Sequence, residues 1–188
     1  MGGISQLRFV RSQRDLDEQR YLAKLGLCPH CRQSGAINAH GFLRGYSESG
    51  AHGVVRGRRF FCSNRGRKSG CGRTFSILLR CFLAHFVVTA TTLMQVVLCV
   101  IAGFSLVRAW LEVTGARFTV RTGFRLWKRL RNAQPHIRSA LAQRGPPPQC
   151  QCSEPLAQMV AHLRGLTEGD DSEQFAAFQD EFQVGLFR

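Results

Sequence analysis

The pattern C-x2-C-x30-C-x8-C formed by Cys28, Cys31, Cys62 and Cys71 constrains this chain more than any other feature. In Cys28-Pro29-His30-Cys31 a two-residue gap lets both sulfurs converge on one ion from a tight turn. The second gap is wider, but Gly66, Gly70 and Gly72 allow the backbone to fold back. Four thiolates suit tetrahedral Zn2+, and a closed set of four protein ligands marks one structural zinc with no open position for catalysis. The competing reading is four unrelated buried cysteines, since free cysteine packs as a small hydrophobe. Paired spacing among glycine and polar turn residues argues against it. His30, His40 and His52 are reserve ligands should Cys71 point away.

With 188 residues the chain has room for one compact domain or two small ones. A metal would supply what a small amino-terminal module lacks in buried apolar area. The start, Met1 to Arg11, has no apolar run suited to a signal peptide, and Ser5 does not match the myristoylation pattern. The expected setting is a reducing cytosol, with thiolates on metal rather than in disulfides.

Charge narrows the partners. The formal net charge is +14, and residues 1–149 hold 24 Lys/Arg against 5 Asp/Glu, whereas residues 150–188 hold 2 against 7. Such a basic body with an acidic end points to a polyanion, duplex DNA first. Arginine predominates, and its bidentate fork suits phosphate and guanine.

The periodicity predicts an amphipathic helix over 12–26, then strands at Ala36–His40, Val54–Phe61 and Thr74–Leu78, with 44–53 as a hairpin loop. Residues 81–107 carry no Asp, Glu, Lys or Arg, which is long enough to weigh as a membrane span. The polar residues His85, Thr89, Thr91, Thr92 and Gln95 and the arginines on both flanks favour a buried helix, Leu93–Ala102, instead. Gly103-Phe104-Ser105 then leads to a helix Leu106–Val113 closed by Thr114-Gly115, and Thr119 caps a helix Val120–Asn132. Pro135 is expected to open a fourth helix, His136–Gln143, and Gly145-Pro146-Pro147-Pro148 to form a stiff linker. The expected fold class is α+β: a three-stranded zinc ribbon followed by an all-α helix-turn-helix domain and a helical carboxy-terminal segment. The expected bounds are 1–24 for the first helix, 25–80 for the ribbon, 81–145 for the helical domain and 146–188 for linker and tail.

In helix 120–132, Val120, Phe124, Trp127 and Leu130 form one apolar stripe. As a recognition helix it would place Arg121, Thr122 and Arg125 over base edges, and Lys128, Arg129 and Arg131 near phosphates. An ordinary solvated face is the plainer reading of the same charges. The ribbon adds a second basic surface with Arg56, Arg58, Arg59, Arg67 and Lys68, in which Phe60 and Phe61 alternate between core and surface.

Cys28-Pro29-His30-Cys31, Arg58-Arg59-Phe60-Phe61-Cys62 and Gly70-Cys71-Gly72-Arg73-Thr74-Phe75-Ser76 resemble the amino-terminal zinc ribbons of bacterial insertion-sequence transposases. Arg125-Leu126-Trp127-Lys128-Arg129-Leu130 looks like the helix-turn-helix that accompanies them. The similarity covers roughly residues 25–132. It departs at the second knuckle, which in such ribbons is C-x2-C. The resemblance implies binding of terminal-repeat or target DNA. It also implies a catalytic domain with three carboxylates and two Mg2+, yet residues 49–153 hold a single carboxylate, Glu112. The expectation is therefore a non-enzymatic, cytoplasmic, nucleoid-associated accessory or regulator, partnered by a transposase or a second copy of itself. A nuclease or transposase fragment and a protein adaptor are the alternatives.

The tail is expected to form helices Pro155–Leu163 and Ser172–Phe182 around the acidic turn Glu168-Gly169-Asp170-Asp171. Phe175, Phe178, Phe182, Leu186 and Phe187 would pack on the core or on a second copy, unless the acidic tail instead screens the basic surface. Cys150 and Cys152, one residue apart, make a poor metal knuckle.

Overall fold

In the computed structural model of the chain, residues 7–149, 153–167 and 169–187 are described. Cys150, Cys152 and Glu168 lie outside them, so the structure places neither the second cysteine pair nor the first residue of the acidic turn. Two compact units divide the chain, Met1–Arg80 and Cys81–Arg188.

The first unit is a sheet with a helix on one face. Strands β1 (Leu7–Val10), β2 (Ile37–Gly45), β3 (Val54–Cys62) and β4 (Thr74–Leu79) run in the order β1-β4-β3-β2. The β1–β4 pair is parallel and the other pairs are antiparallel. Helix α1 (Gln13–Leu25) begins with a capping box: Ser12 Oγ accepts from Asp15 N at 3.1 Å, and Asp15 Oδ2 accepts from Ser12 N at 3.0 Å. Its one fully buried side chain, Leu16, meets Phe60, Phe75 and Ile77 from the sheet, and Phe60 stacks on Phe75 with centroids 5.4 Å apart.

The three-stranded ribbon followed by an all-helical domain is thereby corrected. Among the described residues there are a four-stranded mixed sheet and six α-helices. The missed strand is Leu7-Arg8-Phe9-Val10, four residues whose pairing partner lies some seventy positions on. A run that short has no periodic signature, and only β4 decides its conformation.

The second unit holds α2 (Ala90–Ile101), α3 (Leu106–Thr114), α4 (Val120–Arg144), α5 (Pro155–Leu163) and α6 (Gln174–Phe182). Thr89 caps α2, its Oγ1 accepting from Thr92 N at 3.2 Å, and Ser105 caps α3 through Arg108 N at 3.3 Å. Gly115 closes α3 in the left-handed conformation at φ 57°. α2 buries Leu93, Met94, Val96 and Val97. Among the described residues no helix is long and apolar enough to cross a membrane.

Two expectations about α4 are also corrected. Pro135 does not open a new helix but lies inside α4, which runs unbroken for 25 residues. An interior proline removes one hydrogen bond and costs about 3 kcal/mol, and burial of Ile137 and Leu141 beyond it offsets that cost. The buried stripe is Gly123, Leu126, Leu130, Ala133, Ile137 and Leu141, so Phe124 lies 53% exposed. Gly123 explains the rotation: a methyl group there would stand 2.7 Å from the Trp110 ring, so the indole of α3 lies directly on the α4 backbone.

The tail completes this helical core. Phe175 and Phe178 are fully buried and Phe187 meets Phe86 edge-on at 5.4 Å. Gln179 pins the end of the chain, donating to the Phe82 carbonyl at 3.2 Å and accepting from Leu186 N at 3.2 Å.

Candidate metal centre and basic surfaces

Backbone hydrogen bonds bring the four cysteines together. In the first turn Arg32 N donates to the Cys28 carbonyl at 2.8 Å and Cys28 N donates to the Gln33 carbonyl at 3.0 Å, with Arg32 at φ 58°. The eight residues between Cys62 and Cys71 form a loop pinched at its base. Gly70 N donates to the Ser63 carbonyl at 2.9 Å, Gly72 N to the Cys62 carbonyl at 2.9 Å, and Cys62 N to the Arg73 carbonyl at 2.9 Å. The loop therefore leaves and re-enters at one point, and Cys71 returns beside Cys62 despite the long gap. Ser63 N, bonded to the Ala36 carbonyl at 2.8 Å, ties this turn to the start of β2.

All four sulfurs lie within 4.8 Å of one another. Cys28 and Cys71 are 3.8 Å apart, and Cys31 and Cys62 are 3.7 Å apart. A tetrahedron with metal–sulfur bonds of about 2.3 Å has edges of about 3.8 Å, so these pairs already have the spacing of a four-thiolate centre. Backbone N–H groups approach the sulfurs as well: His30 N lies 3.4 Å from Cys28 Sγ and Cys71 N 3.4 Å from Cys62 Sγ. The cluster can hold a metal ion, and its donors are soft and close the coordination shell.

The thiols differ in their ease of ionisation. The Gln33 backbone N–H holds Cys31 down at about 7. Burial pushes Cys62 up to about 12 and raises Cys71. A cation at the centre supplies the charge compensation that burial withholds, so metal uptake releases protons. The reserve histidines stand apart. His30 Nε2 is 3.3 Å from the Thr74 carbonyl, His40 lies against Phe61, and His52 meets the Tyr46 ring at 4.3 Å.

The arginines and lysines singled out in the sequence sort into three groups. On α4, Arg121, Arg125 and Lys128 are spaced four and three residues apart, opposite the buried stripe, with Thr122 half-buried beside them. Flanking positions turn toward the unit itself. Arg129 lies over the Phe86 ring at 5.0 Å, and Arg131 is 4.0 Å from Glu154. In the sheet unit, Arg59, Arg67 and Lys68 are exposed and Arg56 is half-buried. Arg58 points inward: 7% exposed, it bonds Asp17 of α1 at 3.3 Å and stacks on Phe42 at 4.1 Å. It fastens α1 to the sheet, and only the fold reveals that, since Asp17 is forty-one positions away.

The acidic tail residues meet a particular subset of cations. Glu154 lies near Arg131, Glu181 bonds Arg144 at 2.9 Å, and Asp171 bonds Arg164 at 3.0 Å. Compared with known protein families, curated proteins and solved structures, the chain matches none.

Proposed function

We propose that this chain is a zinc-stabilised protein that binds duplex DNA, an accessory or regulatory factor of mobile-element type acting in the cytoplasm at the nucleoid. The observation that carries this reading is the row Arg121, Arg125 and Lys128, set on the solvent side of a long helix whose opposite face is buried. Three cations along about 10 Å of helix match the charge density of a phosphate backbone. The acidic tail supports the same reading, since Glu154, Glu181 and Asp171 neutralise other arginines and leave this row to an external anion. Zinc is the metal proposed for Cys28, Cys31, Cys62 and Cys71 because four thiolates in a closed tetrahedron are a structural zinc set. Its role is to hold the sheet unit together.

The test is titration of the zinc-loaded protein onto selected and scrambled duplexes across a salt series. Affinity should fall steeply with salt on both. Arg121→Ala and Arg125→Ala should cost roughly 1–3 kcal/mol on the selected duplex and much less on the scrambled one. Lys128→Ala should weaken both equally. A flat salt dependence defeats the reading. Equal losses on both duplexes leave α4 as a phosphate clamp.

A second reading, a protein adaptor, draws support from Tyr21, Leu22, Leu25 and Leu27, exposed together at the end of α1. An adaptor would show no duplex affinity in the same titration and would instead bind a transposase or a second copy of itself.

A further inference from the structure

We propose that the sheet face turned away from α1 binds a single strand of nucleic acid, with Phe61 stacking on a base and Arg59 and Lys68 on its phosphates. Alternation along β3 sends Phe60 and Cys62 into the core with Leu16, and turns Arg59 and Phe61 to the opposite face. The register sets Asn38 of β2 and Thr74 of β4 on either side of Phe61, and Gly41 and Ser76 on either side of Arg59. His40 adds a second ring 6.2 Å from Phe61, and Lys68 reaches from the metal loop to Asn38 Oδ1 at 3.2 Å.

The chemistry of this face selects its partner. Between residues 49 and 111 the chain has no Asp or Glu, so nothing on β3, β4 or the metal loop offsets Arg59, Arg65, Arg67, Lys68 and Arg73. A polyanion is therefore favoured. A sheet face bearing a ring near the end of an inner strand does not suit a duplex, whose base faces are stacked on one another. An unpaired base offers its face to an aromatic ring whatever its identity. The Asn38 amide and the Thr74 and Ser76 hydroxyls stand where base edges would lie. Gly41, without a side chain beside Arg59, lets a sugar-phosphate backbone approach the sheet. None of these residues belongs to α4, so this surface stands or falls separately from the duplex reading.

The experiment is fluorescence titration of the intact, zinc-loaded chain with oligo(dT) and oligo(U) at low and moderate salt. Both should bind, with affinity falling as salt rises; a preference for one identifies the sugar the face accepts. Phe61→Leu should lose roughly 5- to 150-fold, the range for one stacked base, and Phe61→Tyr should retain binding. Arg59→Gln should weaken binding and flatten the salt dependence. Arg121→Ala should leave oligonucleotide affinity unchanged even if it abolishes duplex recognition. Photo-crosslinking of the unaltered protein to an iodouracil strand needs no substitution and should mark residues 38–40 or 59–61. Absence of oligonucleotide binding at low salt, equal affinity of Phe61→Leu and the parent chain, or crosslinks confined to α4 would overturn the proposal.

Discussion

At Gly70 a methyl group would collide with the Ser63 carbonyl oxygen and stand 2.7 Å from Cys62 Sγ. No flexible side chain is available to yield there, because one obstacle is backbone and the other a buried cysteine of the candidate metal cluster. Gly70→Ala should therefore weaken metal binding by about 10–100-fold, the scale seen for residues that orient ligands, read by competition with a chromophoric chelator. Cys28→Ser and Cys62→Ser should each release the metal, and unchanged metal content in both would refute a four-thiolate centre. Gly123 poses the same steric question in the helical unit. Gly123→Ala would drive its Cβ into the Trp110 ring and should destabilise that unit by about 1–3 kcal/mol in urea, despite alanine's better helix propensity. The cysteines were legible in the sequence because their ligand spacing is local within each pair. Arg58 was not: among so many arginines, only the three-dimensional approach of Asp17 and Phe42 marks the one that turns inward.

Among the elements, those with local end signals emerged from the sequence and those without did not. Thr89, Ser105 and Gly115 announce helix boundaries through hydrogen bonds that reach three or four residues, and each does so here. α4 was misread in two ways for one reason. Its buried stripe passes through a glycine, which carries no hydrophobic signal, and the helix runs on through the exposed Pro135, which carries a false stop. Tertiary packing against Trp110 and along Leu126, Leu130 and Ile137 outweighs both. Pro135→Ala should restore the missing hydrogen bond and stabilise the helical unit, by up to about 3 kcal/mol if the helix relaxes fully. Urea midpoints at fixed metal concentration would measure this, and a destabilised variant would mean that the proline ring makes packing contacts worth more than the bond it removes.

On the scale of the whole chain, the two units have unequal means of staying folded. The helical unit buries a large set of aromatic and aliphatic side chains, from Leu83 to Leu186. The sheet unit's core consists of Leu16, Ala36, Ile37, Phe60, Phe75 and Ile77 around two of the four thiols. A core so small would gain much of its stability from a metal held by the four cysteines. Chelation should abolish the protection of residues 25–79 from proteolysis while the α2–α6 unit keeps its helical circular dichroism, and simultaneous loss of both would contradict the division. Deleting residues 174–187 should have the opposite result, because Phe175, Phe178 and Leu186 fill the helical core. For a unit that is folded only when loaded, the folding free energy grows with the logarithm of free metal above its dissociation constant. The half of the molecule carrying Phe61 and Arg59 would thus be degraded first when a cell runs short of the ion, making the protein's lifetime a readout of metal supply.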